Sequence, residues 1–248
     1  MRVLYKYVTP ERVDVLRDRR IRFAHPASFN DPFEAKPFFR SLLEREIVQE
    51  VLQLEETETI LNFGNQITTL LESAELRNWA WQAKTRGVVL LSLSEQRDNL
   101  LMWAHYANDH QGFVLGLDIE HPSFATRKDG IARHAAKVEY ARTRPARPSL
   151  AELSVGQFFA TKSDDWSYEK EWRLFDGAVH ADHVLADENI LLFDFSPEAI
   201  REVIVGCRAT DDFKKTIREY LEHPAYRHVQ MKAAVLDEHE YRLNTVDV

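Results

Sequence analysis

Short segments rich in β-branched residues and leucine recur along this chain, and they constrain its fold more than any other feature. The segments "GVVLLSLS" (87–94), "QGFVLGLDIE" (111–120) and "EVIVG" (202–206) have the length and composition of strands. Further strands are predicted at 3–8, 21–26, 135–141, 168–175, 189–195 and 229–237. Helical patterns separate only some of these strands, as at 98–109 and 211–223. The order predicts an α+β protein with a mixed or antiparallel sheet core.

Two further helices are predicted before the strand at 87–94. In "LLEREIVQEVLQL" the apolar positions 43, 47, 51 and 54 share one helical face, and positions 67, 70, 71 and 74 do the same in "QITTLLESAELRNWAWQA". Gly64 separates the two patterns as a turn. Residues 41–83 are therefore predicted to form a helical pair, an insertion or lid within a single domain of 1–248. Another helix is predicted over 149–161.

Composition narrows the classes of function. The formal net charge is -8 and the isoelectric point is about 5.7, which argues against tight non-specific binding to nucleic acid. The single cysteine, Cys207, excludes a disulfide within the chain. Polar residues interrupt every apolar run long before 18 residues, and the N-terminus lacks a signal-peptide pattern. We expect a cytoplasmic protein with no membrane partner.

Several common catalytic motifs are missing from the sequence. It contains no GxGxxG fingerprint, no P-loop and no GxSxG elbow. The ten histidines include no HxH or HExxH spacing, so the pattern gives no support to a metal site. The candidate chemistry must come from other side chains.

The strand predicted at "YEKEWRLF" (168–175) carries the most informative charges. A period of two places Glu169, Glu171 and Arg173 on one face, where the two carboxylates repel each other unless a cation offsets them. A solvated sheet face with an ion pair is one interpretation. Trp166 and its aromatic neighbours favour another, a cleft that holds a planar ligand or a sugar.

Two other segments offer candidate ligand-binding residues. In "LSLSEQRDNLLMWAHYAND", Ser94 ends a strand, while Trp103 and Tyr106 share one helical face. The first strand contributes Tyr5 and Lys6 on opposite faces. Core or edge packing is the alternative for Trp103 and for the tyrosine.

The loop "SFNDPFE" (28–34) combines turn-forming residues with aromatic rings and carboxylates. Phe29 and Phe33 are predicted to anchor it through their rings. Asn30, Asp31 and Glu34 are then left to bind backbone donors, as in an Asx turn, or to bind a ligand.

The quoted motifs together resemble a known family. "LYKY", "IRFAHPASFNDPFE", "LSLSE…NLLMWAHYANDHQGFVLGLD", "KSDDWSYEKEWRL" and "IREVIVG" occur in this order. They are similar to the bacterial family called domain of unknown function 2971, over roughly residues 3–207. The family name implies no activity.

A second resemblance, to the ADP-ribosyltransferase superfamily, rests on the order of "LYKY", "SLS" with "WAHY", and "YEKEW". It implies split sheets and a cleft that binds NAD as substrate. Glu171 would stabilise the ribosyl cation and Glu169 would orient or activate the acceptor, a protein or nucleic acid. Those enzymes carry His or Arg where this chain has Tyr5, Lys6 and Tyr7. The remaining roles implied are phosphate contacts by Arg173 and Lys162, and contacts with the ribose and nicotinamide by Ser94 and Tyr106.

Two alternatives remain open. One is a non-catalytic ligand-binding or sensor module, for example in phage defence, which would keep the aromatic cleft without needing the acidic pair. The other is a metal nuclease that uses Asp31, Glu34, Glu169 and Glu171, because "EAK" (34–36) has the E-x-K form of some nucleases. The sequence predicts no oligomeric state.

Overall fold

The computed structural model describes residues 1–31, 33, 38–39, 87–144, 146–147, 159–185 and 190–248. The predicted helical pair at 41–83, most of the predicted helix at 149–161 and Glu34 lie outside these residues. The strands, numbered in chain order, are β1 (Val3–Val8), β2 (Arg20–Phe23), β3 (Phe38–Phe39), β4 (Val88–Ser94), β5 (Phe113–Asp118), β6 (His134–Lys137), β7 (Glu139–Ala141), β8 (Ala146–Arg147), β9 (Thr161–Ser163), β10 (Glu171–Gly177), β11 (His183–Leu185), β12 (Ile190–Asp194), β13 (Ile200–Val205), β14 (Gln230–Leu236) and β15 (Leu243–Asp247).

The α-helices of the described residues are short. They are α1 (Asp14–Asp18), α2 (Leu100–Tyr106), α3 (Pro122–Ala125) and α4 (Asp211–Leu221). The 3-10 helices are Pro10–Arg12, Pro26–Ser28, Asp164–Glu169, Ala178–His180, Pro197–Ala199 and Pro224–Tyr226. Helix α2 begins after Asn99, whose side-chain oxygen accepts from two backbone N–H groups of the first turn, as an N-cap residue does. The α+β class predicted from the sequence is confirmed.

The main sheet has eight strands in the order β15-β14-β13-β5-β1-β4-β10-β6. Among these strands only β13 and β14 run parallel, and the other neighbours are antiparallel. The first strand of the chain therefore lies in the middle of the sheet. Its two neighbours are β4, which ends at Ser94, and β5, which lies within the strand predicted at 111–120.

The sheet is divided between β1 and β4. Strand β1 pairs with β5 along its whole length, from Val3 to Val8. It meets β4 in register at one residue pair, Tyr5 and Ser94. Since β4 in turn pairs with β10 over seven residues, two well-formed halves are joined at a single point. The strands separate beyond that point and leave room between them.

A three-stranded sheet, β11-β12-β2, packs against the main sheet. Its buried rings Phe23 and Phe193 lie with their centroids 4.3 Å apart and belong to the same apolar core as the main-sheet strands. Just after β2, Ala24 and Leu90 form an antiparallel bridge. This bridge brings the end of β2 to β4, at the side where β4 and β1 diverge.

Three predicted strands differ from the observed ones: the strand at 21–26 ends at Phe23, the strand at 135–141 is divided into β6 and β7, and the strand at 168–175 begins later. The segment 168–175 was predicted to be extended throughout, but residues Asp164–Glu169 form a 3-10 helix and Lys170 is left-handed, with φ 45°. Strand β10 begins only at Glu171. The prediction that Glu169 lies on the same strand face as Glu171 and Arg173 is therefore wrong, although Glu171 and Arg173 do share a face.

Candidate functional site

A cleft of about 200 Å³ opens where β1 and β4 diverge. It lies between the two halves of the main sheet, with Ala24 and the loop after β2 on one side. Nine of the residues predicted as candidates line it: Tyr5, Lys6, Asn30, Asp31, Ser94, Tyr106, Lys162, Glu169 and Glu171. Residues from five distant segments of the chain therefore converge at one place.

The register of the sheet explains part of this convergence. Tyr5 of β1 lies opposite Ser94 of β4, and Ser94 lies opposite Glu171 of β10. Opposed residues of antiparallel strands point to the same face. Tyr5, Ser94 and Glu171 thus form one row across the sheet, at the level where the two halves are joined.

The same row continues on the other side of Tyr5. There Gly116 of β5 separates Tyr5 from Glu202 of β13. The tyrosine hydroxyl donates to Glu202 Oε1 over 3.0 Å. A Cβ atom at position 116 would lie 2.8 Å from Glu202 Cγ and 3.3 Å from the Tyr5 ring. The glycine gives the tyrosine a path to the carboxylate, and that contact fixes the ring at the edge of the cleft.

Glu169 is buried and both of its carboxylate oxygens have donors. The Tyr106 hydroxyl donates to Oε1 over 2.7 Å, and Lys162 Nζ lies 2.7 Å from Oε2. Burial and the neighbouring Glu169 carboxylate raise the pKa of Tyr106, which keeps the hydroxyl protonated as a donor. Glu169 is held in place by the helix α2 on one side and by β9 on the other.

Glu171 is held by an arginine, Arg173, on the same strand. Arg173 Nε donates to its Oε1 over 2.9 Å and Arg173 Nη2 donates to its Oε2 over 2.8 Å, so the pair is bidentate. Lys162 Nζ lies 3.6 Å from Oε2. Burial raises the pKa of Glu171 to about 7, Lys162 opposes this change, and the Glu169 charge adds to it. The carboxyl group can therefore change its protonation near neutral pH.

The left-handed Lys170 brings the two glutamates to the same cation. In a continuous strand their side chains would lie about 7 Å apart. The turn at Lys170 instead lets Lys162 approach both carboxylates. Ser94 supports this turn, because its hydroxyl donates to the Glu169 backbone oxygen over 2.6 Å. The Tyr140 hydroxyl accepts from the Glu171 backbone N–H over 2.9 Å.

Lys6 lines the cleft and also a second cavity beside it. Its Nζ donates to the Ser92 backbone oxygen over 3.1 Å. Burial lowers the pKa of Lys6 to about 8, the Glu171 charge opposes this, and the charges of Arg22 and Arg12 add to it. The ammonium therefore lies between the acidic residues of the cleft and two arginines behind it.

The loop after β2 contributes Phe29, Asn30 and Asp31 to the cleft wall. Asp31 Oδ1 accepts from the Phe33 backbone N–H over 2.8 Å, so the predicted Asx turn is confirmed. Phe29 packs against the buried cluster of Leu90, Phe159 and Phe175, whereas Phe33 is 63% exposed. The predicted anchoring by a ring is thus observed for Phe29, while the exposed Phe33 ring has its centroid 5.6 Å from the Arg144 guanidinium carbon.

Two predicted ligand-binding residues do not line the cleft. Trp103 is fully buried in the core, packs edge-on against Tyr7 at 5.5 Å, and donates its indole N–H to the Arg97 backbone oxygen. Arg173 is also fully buried and directs its guanidinium to Glu171 and to the Phe159 backbone oxygen. Burial lowers the pKa of Arg173, yet a guanidinium keeps its proton at neutral pH. Its place behind Glu171 is a correction to the phosphate contact expected from the sequence.

Other residues line the cleft beside the predicted ligand-binding and catalytic side chains. Trp166 lies on the cleft wall with Lys162 Nζ 4.7 Å from its ring centroid, a cation–π contact. Ser92 and Met102 also line the cleft. The crowding of aromatic residues around 166–172 was the signal for Trp166. The sequence signal for Ser92 was weaker, namely that it shares a strand face with Ser94.

Comparison with known proteins gives one match. Residues 102–174 match a family model described as "Protein of unknown function (DUF2971)". The match confirms the family resemblance over that range, which holds most of helix α2, the two glutamates and the first four residues of β10. No curated protein and no solved structure matches the chain significantly.

Two searches of the described residues concern membranes and metals. No helix among them is long and apolar enough to cross a membrane. No group of three or more His, Cys, Asp or Glu side chains in the same part of the chain is arranged to hold a metal ion.

Proposed function

We propose that this protein cleaves the bond between nicotinamide and ribose in NAD, as an ADP-ribosyltransferase or an NAD glycohydrolase does. The observation that carries the proposal is the position of Glu171. Its carboxyl group lines an aromatic cleft between two sheet halves, in one row with Tyr5 and Ser94. The resemblance between the motif order and that superfamily supports the same assignment.

The chemistry requires a negative charge beside the ribose. When the bond between ribose C1′ and nicotinamide N1 breaks, the electron pair leaves with nicotinamide and positive charge develops on the ribose. A fixed carboxylate stabilises that charge, as in glycoside hydrolysis. The side chain of Glu171 is pre-oriented for this role, because Arg173 holds both of its oxygens from behind.

The second half of the reaction needs a nucleophile and a base. Water or an acceptor group adds to C1′ and loses a proton. With water as the nucleophile the products are ADP-ribose, nicotinamide and one proton. Glu171, whose pKa is about 7, is suited to receive that proton near neutral pH. Lys162, which contacts both carboxylates, is placed to offset their charges when both are ionised.

The aromatic side chains of the cleft suit the leaving group. Nicotinamide is planar, and Phe29, Tyr106 and Trp166 present ring surfaces within the same cleft. The Tyr106 hydroxyl is occupied by Glu169, so this tyrosine offers its ring rather than its oxygen. The Ser94 hydroxyl likewise donates its hydrogen bond to the Glu169 backbone oxygen. We therefore assign Ser94 a positioning role rather than a ribose contact.

The test is nicotinamide release from NAD by the purified protein, alone and with cell lysate, for the wild type and Glu171→Gln. The matched control is Asp118→Asn, which removes the charge of another buried carboxylate that is paired with an arginine, Arg201, outside the cleft. We expect release by the wild type and by the control, and a loss of about 100-fold or more in Glu171→Gln, by the size of electrostatic stabilisation in other enzymes.

The comparison with and without lysate distinguishes transfer from hydrolysis. Release that needs lysate indicates transfer to a cellular acceptor, a protein or a nucleic acid, whereas release without lysate indicates hydrolysis. No release under either condition, or an unchanged rate in Glu171→Gln, contradicts the proposal.

A second candidate function, a non-catalytic ligand-binding or sensor module, is favoured by a different observation. Every carboxylate oxygen of Glu169 and Glu171 already has a donor from Tyr106, Lys162 or Arg173. Such a network can serve simply to stabilise the cleft. Under this alternative a Glu169→Gln, Glu171→Gln double variant that remains folded binds NAD or its fragments as the wild type does in calorimetry. A loss of binding together with turnover argues against it.

A further inference from the structure

A second cavity, of about 290 Å³, adjoins the cleft behind Lys6. The two cavities share the side chains of Lys6, Tyr7, Ser92 and Tyr106 and the residue Ala24. The second one extends toward the helical segment after β1 and toward β2. Together they form one continuous space with Lys6 at the junction.

The two cavities differ in charge. The cleft is lined by Asp31, Glu169 and Glu171, with Lys6 and Lys162 as its cations. The second cavity is lined by Lys6, Arg12 and Arg22, and no Asp or Glu of the described residues lines it. A small space with three cations and no carboxylate attracts an anion strongly.

Arg22 is the residue that gives this cavity its specificity. Its Nε is buried without a hydrogen-bond partner. No carboxylate of the described residues lies within ion-pair distance of its guanidinium. A buried donor without an acceptor costs stability unless a ligand supplies the acceptor. The absence of a partner among the described residues therefore points to a ligand that carries oxygen atoms.

Arg12 and Lys6 are also only partly satisfied. Arg12 uses Nε for Asp14, over 3.1 Å, and the described residues offer no acceptor to its Nη groups. Lys6 has the Ser92 backbone oxygen as one acceptor for three donors. The hydroxyl-bearing residues Thr9 and Ser28 stand on the same walls. The donors outnumber the acceptors, which is the requirement for holding a phosphate group.

We infer that the cavity formed by Lys6, Arg12 and Arg22 is the diphosphate subsite of a nucleotide whose ribosyl end occupies the cleft. The inference rests on the proposed function for the nature of the substrate. It assigns the phosphate contacts to Arg22 and Arg12, which take the place of the buried Arg173. Lys6 lies between the phosphates and the two glutamates and separates their charges.

The first experiment uses inorganic pyrophosphate as the probe, with calorimetry at low ionic strength. The variants are Arg22→Gln and, as a matched control for lost charge, Arg227→Gln at an exposed position outside both cavities. We expect pyrophosphate to bind the wild type and the control alike, and to bind Arg22→Gln about tenfold or more weakly, as for a lost charge-assisted hydrogen bond. No binding by the wild type, or an equal loss in both variants, overturns the subsite.

Thermal unfolding separates a binding role from a structural one. Because Arg22 has no partner in the described part of the chain and lines a cavity with two other cations, Arg22→Gln without ligand should unfold at the same temperature as the wild type or at a higher one. Pyrophosphate should then raise the unfolding temperature of the wild type more than that of the variant. A variant that unfolds at a lower temperature and responds to pyrophosphate like the wild type overturns the inference.

Competition experiments test whether the subsite belongs to a nucleotide. We expect nicotinamide and pyrophosphate to bind together, and ADP to displace pyrophosphate and bind at least as tightly. Mutual exclusion of nicotinamide and pyrophosphate, or failure of ADP to bind, overturns the assignment. Pyrophosphate binding without any NAD cleavage supports the subsite and contradicts only the proposed reaction. NAD cleavage that is unaffected by Arg22→Gln supports the proposed reaction and contradicts the subsite.

Discussion

Lys6 donates to the backbone oxygen of Ser92 across the divide between β1 and β4, over 3.1 Å. The contact links the two halves of the sheet just beyond Tyr5 and Ser94, the pair at which their backbones are joined. It also fixes an ammonium group between the glutamates of the cleft and the arginines behind them. The charge distribution of the site depends on this one side chain.

Replacing Lys6 by methionine should stabilise the protein at neutral pH. Burial lowers the pKa of Lys6 from 10.5 to about 8, so the unfolded chain binds more protons than the folded protein between those values. The wild type therefore gains stability as pH rises from 8 to 10.5. At pH 7 we expect the free energy of unfolding of Lys6→Met to exceed that of the wild type by an amount on the order of 2–3 kcal/mol. The difference should shrink as pH rises from 8 to 10.5.

Urea unfolding at pH 7, 9 and 10.5 measures this difference. Lys215→Met, on the exposed side of α4, controls for the loss of a lysine charge. A Lys6→Met variant that is less stable than the wild type at pH 7 contradicts the position described for Lys6. Because Lys6 lines the proposed diphosphate subsite, the same variant should bind pyrophosphate more weakly, so stability and binding change in opposite directions.

Removing Arg173 should destabilise the fold strongly. Its guanidinium is fully buried and holds both oxygens of Glu171. Arg173→Met leaves that carboxyl group buried without its bidentate partner, which costs roughly 3–5 kcal/mol in comparable sites. Chemical denaturation measures the loss. Adding Glu171→Gln to Arg173→Met should recover part of it, and a single variant that loses less than about 1 kcal/mol would show that the pair is not the support of Glu171.

The substitution Tyr106→Phe should lower the free energy of unfolding more than Tyr168→Phe does. The Tyr106 hydroxyl donates to the Glu169 carboxylate over 2.7 Å, and a hydrogen bond to a charged group contributes roughly 1.5–3 kcal/mol. The Tyr168 hydroxyl has no hydrogen-bond partner among the described residues, and its backbone oxygen makes the contact with Asn99 instead. Equal stabilities of the two variants in urea unfolding would contradict the role given to Tyr106.

Gly116→Ala should disturb the row that places Tyr5. The new Cβ would lie 2.8 Å from Glu202 Cγ, a distance that forces the glutamate or the strand to move and costs roughly 1–3 kcal/mol. Gly87→Ala is the matched control, since a Cβ there has no atom within 4 Å. We expect a lower unfolding temperature for Gly116→Ala alone. Similar behaviour of both variants argues against close packing at Gly116.

The sequence predicted the strands better than it predicted how they meet. The alternation and composition of 3–8, 87–94, 111–120 and 202–206 identified four strands of the main sheet correctly. The row that joins Tyr5, Ser94 and Glu171 depends on pairing between distant segments, and local periodicity carries no information on that register. The motif order indicated that these residues act together, but not how.

Two features of the site could not be predicted from the sequence, each for a physical reason. The period-two pattern at 168–175 failed at Lys170, because one left-handed residue with φ 45° ends a 3-10 helix and starts a strand. In the sequence, Arg22 is one of several charged residues in "RDRRIRF", and the pattern does not distinguish it from the others. Its alternation with buried Ile21 and Phe23 shows the face on which it lies, but its lack of a partner is visible only in three dimensions.

The pH dependence of nicotinamide release from NAD tests the central claim about Glu171 most directly. The carboxyl group is charged only above its pKa of about 7, and the charged form is the one that stabilises the ribosyl cation. We expect a rate that falls as pH drops through about 7, and a residual rate in Glu171→Gln without that inflection. No release at any pH, or the same profile in wild type and Glu171→Gln, would contradict it.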